Sequence, residues 1–320
     1  MLYCIGDVHG CYDDMMRLLE KIEKQDDDAY FLFMGDLVDH GPQVMEVLDW
    51  ALEHISNDGR YRCIRGNHEE EVLLWYNQFR SWEKEKMHSL YPPTTKYDFF
   101  QLMRENKLLH SQKLEDIVEL IQKLPYSASY RVTPEMNGKK GREVDYYFAH
   151  GWYDISETSG SERQHWANLH GRSCEGVSRR EMEGYGPLQY QKGYIKQAYP
   201  VVICGHTPTV SGLYMETAAG NKPGANAPGL IGYRPHTIFV DGGCWKQWEL
   251  TELPCMLCAF CPGNWQEIYS MSLEERMIGS LHGTLQDIAA RGSRLDDYKR
   301  TYLSVENPYR AEMLSDIFDM

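Results

Sequence analysis

The chain has 320 residues, 42% hydrophobic and 25% charged, which is enough apolar content for one large core or two small ones and excludes a disordered chain. Its formal charge of −14 excludes a nonspecific nucleic-acid surface, which needs a basic excess, but leaves anionic substrates open where metal ions supply positive charge. No apolar run approaches the ~20 residues of a membrane helix, the start has neither basic flank nor cleavage site, and nine irregularly spaced cysteines suit reduced thiols, so a cytoplasmic protein without membrane contact is expected.

Leu2 to Ile5 reads as a short strand running into Gly6-Asp7-Val8-His9-Gly10, followed by a helix over about Tyr12 to Lys24 with Met15, Leu18, Leu19 and Ile22 on one face. Tyr30 to Met34 is a second strand, running into Gly35-Asp36-Leu37-Val38-Asp39-His40-Gly41-Pro42 and a helix that carries Val44, Val47, Leu48 and Ala51. Tyr61 to Ile64 runs into Arg65-Gly66-Asn67-His68-Glu69 and a third helix. This repeat of strand, polar loop and amphipathic helix is a βαβ pattern, and open α/β sheets gather their ligands at the carboxyl ends of the strands. The polar residues are therefore expected to converge.

Residues from about Trp75 to Tyr130 read as a polar helical insertion with Leu114, Ile117, Val118 and Ile121 as its apolar stripe. Strands resume at Tyr146 to Ala149, Val201 to Cys204 and Thr237 to Val240, and run into His150-Gly151, Gly205-His206 and Asp241-Gly242-Gly243. Ala218 to Gly232 reads as a loop beside the site, and Trp248 to Leu253 as a strand leading to Cys255, Cys258 and Cys261. Those three cysteines lack a fourth ligand of suitable spacing and read as buried thiols. After Asn264 the chain turns helical and charged. The expected organisation is a catalytic domain over 1–263, with the insertion at about 75–130, and a helical extension over 264–320.

Asp7 and His9, two residues apart in a Gly-flanked loop, can face one ion with a carboxylate oxygen and an imidazole nitrogen. Asp36, Asn67, His150 and His206 follow four further strands, which completes a mixed nitrogen and oxygen set for two divalent ions. Taken singly, each His would more often cap a helix or bond a backbone group. Five strand-end loops all carrying ligand types make coincidence improbable. Two ions about 3.5–4 Å apart can bridge a hydroxide and grip phosphoryl oxygens during in-line displacement. His68, next to Asn67, is placed to protonate a leaving alkoxide, with Asp39 accepting a hydrogen bond from its other ring nitrogen.

Gly-Asp-Val-His-Gly at 6–10, Gly-Asp-Leu-Val-Asp at 35–39, Arg-Gly-Asn-His-Glu at 65–69, His150 before Gly and Gly-His-Thr-Pro at 205–208 resemble the metallophosphoesterases of the phosphoprotein phosphatase (PPP) family. The match is to the bacterial and phage branch that includes the lambda phage protein phosphatase, and more distantly to the symmetrical diadenosine tetraphosphatases. It covers about Met1 to Met256. The resemblance implies an αββα sandwich of two mixed sheets flanked by helices, with Asp7, His9 and Asp36 on one metal, Asp36, Asn67, His150 and His206 on the other, and Asp36 bridging.

It also implies His68 as acid, Asp39 as its partner, two ions (Mn foremost, then Fe, Zn, Ni or Mg), and a serine/threonine phosphoprotein or small phosphoester as substrate. The sequence departs from the family where Asp39-His40-Gly41 replaces Asp-Arg-Gly and Trp166-Ala167-Asn168 replaces Trp-x-Arg, so both phosphate-gripping arginines are changed. His40, Arg65, Asn168 and Arg172 are the substrate-binding candidates. A nucleotide or dinucleoside polyphosphate hydrolase and a phosphate-binding pseudophosphatase are the alternatives.

Overall fold

Each central strand alternates its side chains between two cores, and this alternation fixes the layering. In the computed structural model, which describes residues 1–84, 92–95, 97, 99–151, 169, 200–210, 227–234, 236–279, 285–304 and 306–318, Tyr3 and Ile5 of β1 (Leu2–Ile5) face one way and Cys4 the other. In β2 (Tyr30–Phe33), Phe31 and Phe33 join the first set, and Leu32 the second. The first set packs under α1 (Tyr12–Glu23) and α2 (Val44–His54), whose apolar faces carry Met15, Leu18 and Ile22, and Val47 and Ala51.

The second set meets β7 (Val144–Ala149) and β8 (Val201–Cys204) through Val144, Tyr146, Phe148, Val201 and Ile203. Two sheets thus lie face to face with helices outside, an α/β sandwich of two mixed sheets.

The first sheet has the order β12-β11-β1-β2-β3, with β3 at Tyr61–Cys63, β11 at Cys258–Cys261 and β12 at Gln266–Tyr269. β1, β2 and β3 are parallel, and β11 runs antiparallel to β1. The second sheet has the order β4-β7-β8-β10-β9, with β4 at Ser127–Val132, β9 at Gly232–Arg234 and β10 at Thr237–Phe239. β7, β8 and β10 are parallel, so both sheets present carboxyl strand ends. A two-residue hairpin, β5 (Glu135–Met136) and β6 (Lys139–Lys140), follows β4.

The stretch read as a helical insertion holds, among its described residues, α3 (Asn67–Lys84), α4 (Phe99–Glu105) and α5 (Gln112–Lys123) around a core of Trp75, Phe79, Phe100, Met103 and Ile117. Its end differs. β4 begins at Ser127 within the stretch read as helical, an edge strand with no fully buried residue, so its apolar signal is diluted. Trp248 to Leu253 is not a strand either. Gly243 at φ 70 starts a 3-10 helix over Cys244–Trp248, and Glu249 and Leu250 close on the Lys246 carbonyl.

Cys255, Cys258 and Cys261 are buried free thiols, and Cys258 donates to the Met256 carbonyl. After β12 come α6 (Leu273–Ile278, opened by a Ser272/Glu275 capping box), α7 (Leu285–Tyr298) and α8 (Pro308–Phe318), whose Met313, Leu314 and Ile317 join the inter-sheet core. Among the described residues no helix is long and apolar enough to cross a membrane.

Candidate metal centre

Five residues of the strand-end loops hold left-handed backbones: His9 (φ 44), Asp36 (φ 51), Asp39 (φ 67), His40 (φ 66) and His206 (φ 63). A non-glycine residue there costs about 1–2 kcal/mol, so the surrounding structure must hold it. It does so by knitting the loops together. Val8 and His9 both donate backbone N–H to the Asp36 carbonyl, at 3.1 and 2.8 Å, Gly41 donates to the His9 carbonyl, and Gly205 to that of His150.

Glu69, fully buried, accepts backbone N–H bonds from Asp36 (2.8 Å), Leu37 (2.8 Å) and Gly66 (2.9 Å), and so clamps the second and third loops with one carboxylate. No role for Glu69 follows from the sequence pattern. Its signal was present only as the last letter of the Arg-Gly-Asn-His-Glu run.

The six ligand candidates converge. Asn67 Oδ1 lies 2.9 Å from His150 Nε2 and 2.7 Å from His206 Nδ1, and those nitrogens are 3.2 Å apart. Asp36 Oδ2 is 3.2 Å from His150 Nε2 and 3.5 Å from His9 Nε2, so one oxygen faces both halves of the group. Donors bound at about 2.1 Å to a shared ion and at right angles would be separated by about 3 Å, the spacing found here. Backbone carbonyls orient the rings: His9 Nδ1 bonds Val38 O and His150 Nδ1 bonds Met34 O, each at 2.8 Å. Gly66 and Gly205 are required by closeness, since a Cβ on either would lie 2.2 Å from Asp36 Oδ1 or 2.0 Å from Asp7 Oδ1.

The electrostatics call for cations. Asp7, Asp36, Glu69 and Asp241 are all buried, and among the described residues no Lys or Arg pairs with any of them. Burial, followed by repulsion from Asp241 and Asp36, pushes the Asp7 carboxyl well above its ordinary range. Burial and the charge of Asp36 push Asp241 up to about 6. Among the described residues, no hydrogen-bond donor reaches the buried Asp7 Oδ1 or Asp241 Oδ2. Such orphaned carboxylate oxygens are costly unless an ion takes them, so the donor set fits two divalent cations. Burial lowers His9 to about 3 despite Asp36, which keeps its ring a neutral donor.

His68 sits beside this group. Its Nδ1 is 2.7 Å from Asp39 Oδ2, its backbone N–H donates to Asp36 Oδ1 at 3.0 Å, and its Nε2 is 3.8 Å from Asp36 Oδ2. Burial alone would lower its pKa, but the charge of Asp36 and the bond to Asp39 raise it to about 9, so the protein's own groups favour the protonated ring.

His40 also comes in, at the exposed rim, with its ring 4.7 Å from that of His9 and 5.1 Å from that of His68. Desolvation of that ring, then the charge of His68, lowers its pKa. Two aromatic residues that sequence reading passed over line the same rim. Trp245 stacks on His40 (centroids 4.0 Å, 11°) and Tyr97 on His68 (4.1 Å, 24°).

Arg65 does not join them. Its guanidinium is buried against α5, where it donates to the Gln122 carbonyl (2.8 Å), Tyr126 hydroxyl (2.9 Å) and Glu70 carboxylate (2.9 Å), and the negative end of that helix is its counterpart. Asn168 and Arg172 lie outside the described residues, as does most of the loop read at Ala218 to Gly232.

A sequence model of calcineurin-like phosphoesterases matches residues 2–227. Curated relatives include symmetrical bis(5'-nucleosyl)-tetraphosphatases from Buchnera aphidicola (31% identical over 85 residues, 27% of this chain and 30% of the relative) and Salmonella paratyphi A (30% over 117 residues, 36% and 40%). The chain thus spans 30–40% of the length of these relatives.

Similar solved structures include a protein serine/threonine phosphatase from Saccharomyces cerevisiae (18% identity, 66% of this chain and 62% of that one, TM-score 0.37). Another is a metallophosphoesterase from Sphaerobacter thermophilus (11% identity, 92% and 98%, TM-score 0.38).

Proposed function

The chain belongs to the calcineurin-like phosphoesterase family, and from that premise we propose that it is a metal-dependent phosphomonoesterase. The observation that carries this reading is the convergence of Asp7, His9, Asp36, Asn67, His150 and His206, with the buried Asp7 Oδ1 lacking a donor among the described residues. Asp7, His9 and Asp36 would hold one ion, and Asp36, Asn67, His150 and His206 the other. Two such ions supply a water of lowered pKa and neutralise the charge of the phosphoryl group.

The remaining chemistry falls to the chain's own residues. His68 Nε2 points toward Asp36 while Nδ1 is held by Asp39, so the ring presents one proton-bearing atom to the reacting side. That proton goes to the departing ester oxygen, and Asp39 keeps the ring oriented and charged as it leaves. Glu69 fixes the backbone of Asp36 and Gly66, and through them the spacing of the two halves. A built acid pair argues for turnover over mere phosphate binding.

Stripping metal with a chelator should abolish hydrolysis of p-nitrophenyl phosphate, and added Mn should restore it. No turnover above metal-free controls with Mn, Fe, Zn, Ni or Mg would overturn the reading.

A serine/threonine-type phosphoprotein is the substrate class that the resemblance supports. The bis(5'-nucleosyl)-tetraphosphatase relatives support a second, a dinucleoside polyphosphate. Side-by-side turnover of a phosphopeptide and diadenosine tetraphosphate separates them. We place the activity in the cytoplasm, with buried unpaired thiols such as Cys4, Cys63 and Cys204 in support.

His40 occupies the sequence position of a phosphate-gripping arginine and stands at the site rim. A neutral imidazole gives at most one hydrogen bond where a guanidinium gives a charged fork. His40→Arg is therefore expected to lower KM for p-nitrophenyl phosphate roughly 3- to 10-fold with little change in kcat, because the added charge binds the phosphate in ground state and transition state alike. An unchanged KM from steady-state kinetics would mean that residue 40 does not reach the phosphate.

A further inference from the structure

Around His68 the rim is aromatic, and the rings come from three separate segments. Tyr97, from the insertion between α3 and α4, lies on His68 with centroids 4.1 Å apart at 24°. His40, from the loop after β2, meets Tyr97 edge on at 5.1 Å and 65°. Trp245, from the 3-10 helix after β10, stacks on His40 at 4.0 Å and 11° and meets His9 edge on at 5.6 Å. Lys246 places its ammonium 4.0 Å from the centroid of the Trp245 ring. His40 and Lys246 thus both lie against the indole.

We propose that this rim selects phosphoesters whose leaving group is a planar aromatic, with Tyr97 and Trp245 as specificity-determining residues. The proposal rests on the phosphoesterase reading above and adds the leaving group to it. Since His68 Nδ1 is bonded to Asp39, the proton for the leaving oxygen comes from Nε2, and whatever is attached to that oxygen must lie along the His68 edge among these rings. Ring edges and faces there reward offset or edge-to-face contact with another ring. A peptide main chain in the same place would lose water from amide groups that the rings do not hydrogen-bond. The Lys246 cation on Trp245 adds positive charge at the rim for an anionic ligand.

The test is a paired binding measurement by calorimetry on the manganese-supplemented protein. Phenylphosphonate should bind about tenfold more tightly than methylphosphonate, and Tyr97→Ala or Trp245→Ala should bring the ratio to within about threefold of one. A wild-type ratio near one, or a ratio that survives both substitutions, overturns the proposal. If the alanine variant does not fold, Tyr97→Leu, which keeps apolar bulk but removes the ring, should lower the ratio to the same extent. Binding of inorganic phosphate to the wild type reports the phosphoesterase reading separately.

The source of the ring is read from kcat/KM for phosphotyrosine and a nucleoside 5′-monophosphate, each against glycerol 2-phosphate. Selective loss in the variants on phosphotyrosine marks a ring bonded directly to the ester oxygen. Selective loss on the nucleotide marks a base one sugar away. Loss on neither overturns the proposal.

Discussion

Asp36→Asn is expected to lower turnover by roughly 1,000-fold or more and to abolish the rise in Tm that added Mn gives the wild-type protein. The substitution keeps the shape of the side chain and can keep the hydrogen bond from the His68 backbone to Oδ1. What changes is the other oxygen, which lies 3.2 Å from His150 Nε2 and 3.5 Å from His9 Nε2 and is the one atom shared by both halves of the ligand group. Burial works against a charge there, yet the rings of His150 and His68 hold the Asp36 carboxyl well below the ordinary range, so it is anionic in the folded protein.

An amide in its place removes that charge and turns a donor N–H toward ring nitrogens. Metal analysis of the purified variant, a thermal melt with and without Mn, and kcat for p-nitrophenyl phosphate check the prediction. Near-normal metal content would remove Asp36 from the bridging position.

His68→Asn is expected to leave metal content intact while lowering kcat for an alkyl phosphate about 100- to 10,000-fold, the range of general acid catalysis. For p-nitrophenyl phosphate the loss should be much smaller, because that leaving group departs without a proton. The contrast follows from geometry. His68 is not among the donors around Asn67, and its Nδ1 is committed to Asp39 at 2.7 Å, which leaves Nε2 for the substrate side. Asp39→Asn should show the same dependence on leaving group with a smaller loss. Equal losses on the two substrates, measured by steady-state kinetics, would mean that His68 supports the site structurally and does not deliver a proton.

The convergence of the ligand candidates was legible because its elements are local. Apolar tetrads such as Leu2–Ile5 and Val201–Cys204 end in Asp or His beside Gly, and the parallel order of the strands brings those ends together. Features set by tertiary contact were not legible. β4 carries Ser, Tyr and Arg on an edge and shows no apolar run. Arg65 looked available because it stands two residues before the ligand candidate Asn67, but the Gln122 carbonyl and Glu70 claim its guanidinium.

Glu69 accepts three backbone bonds, a role with no side-chain pattern to announce it. Tyr97 and Trp245 lie 148 positions apart and are linked through the histidine rings between them, so no spacing could pair them.

The most direct measurement is a stoichiometric one: Mn bound per chain, followed as the chelator-stripped protein regains p-nitrophenyl phosphate turnover. Activity that rises only as a second ion binds, reaching full value at two per chain, is the predicted result. Full turnover in metal-free protein, or with a single ion bound, would contradict a centre in which Asp36 joins two cations.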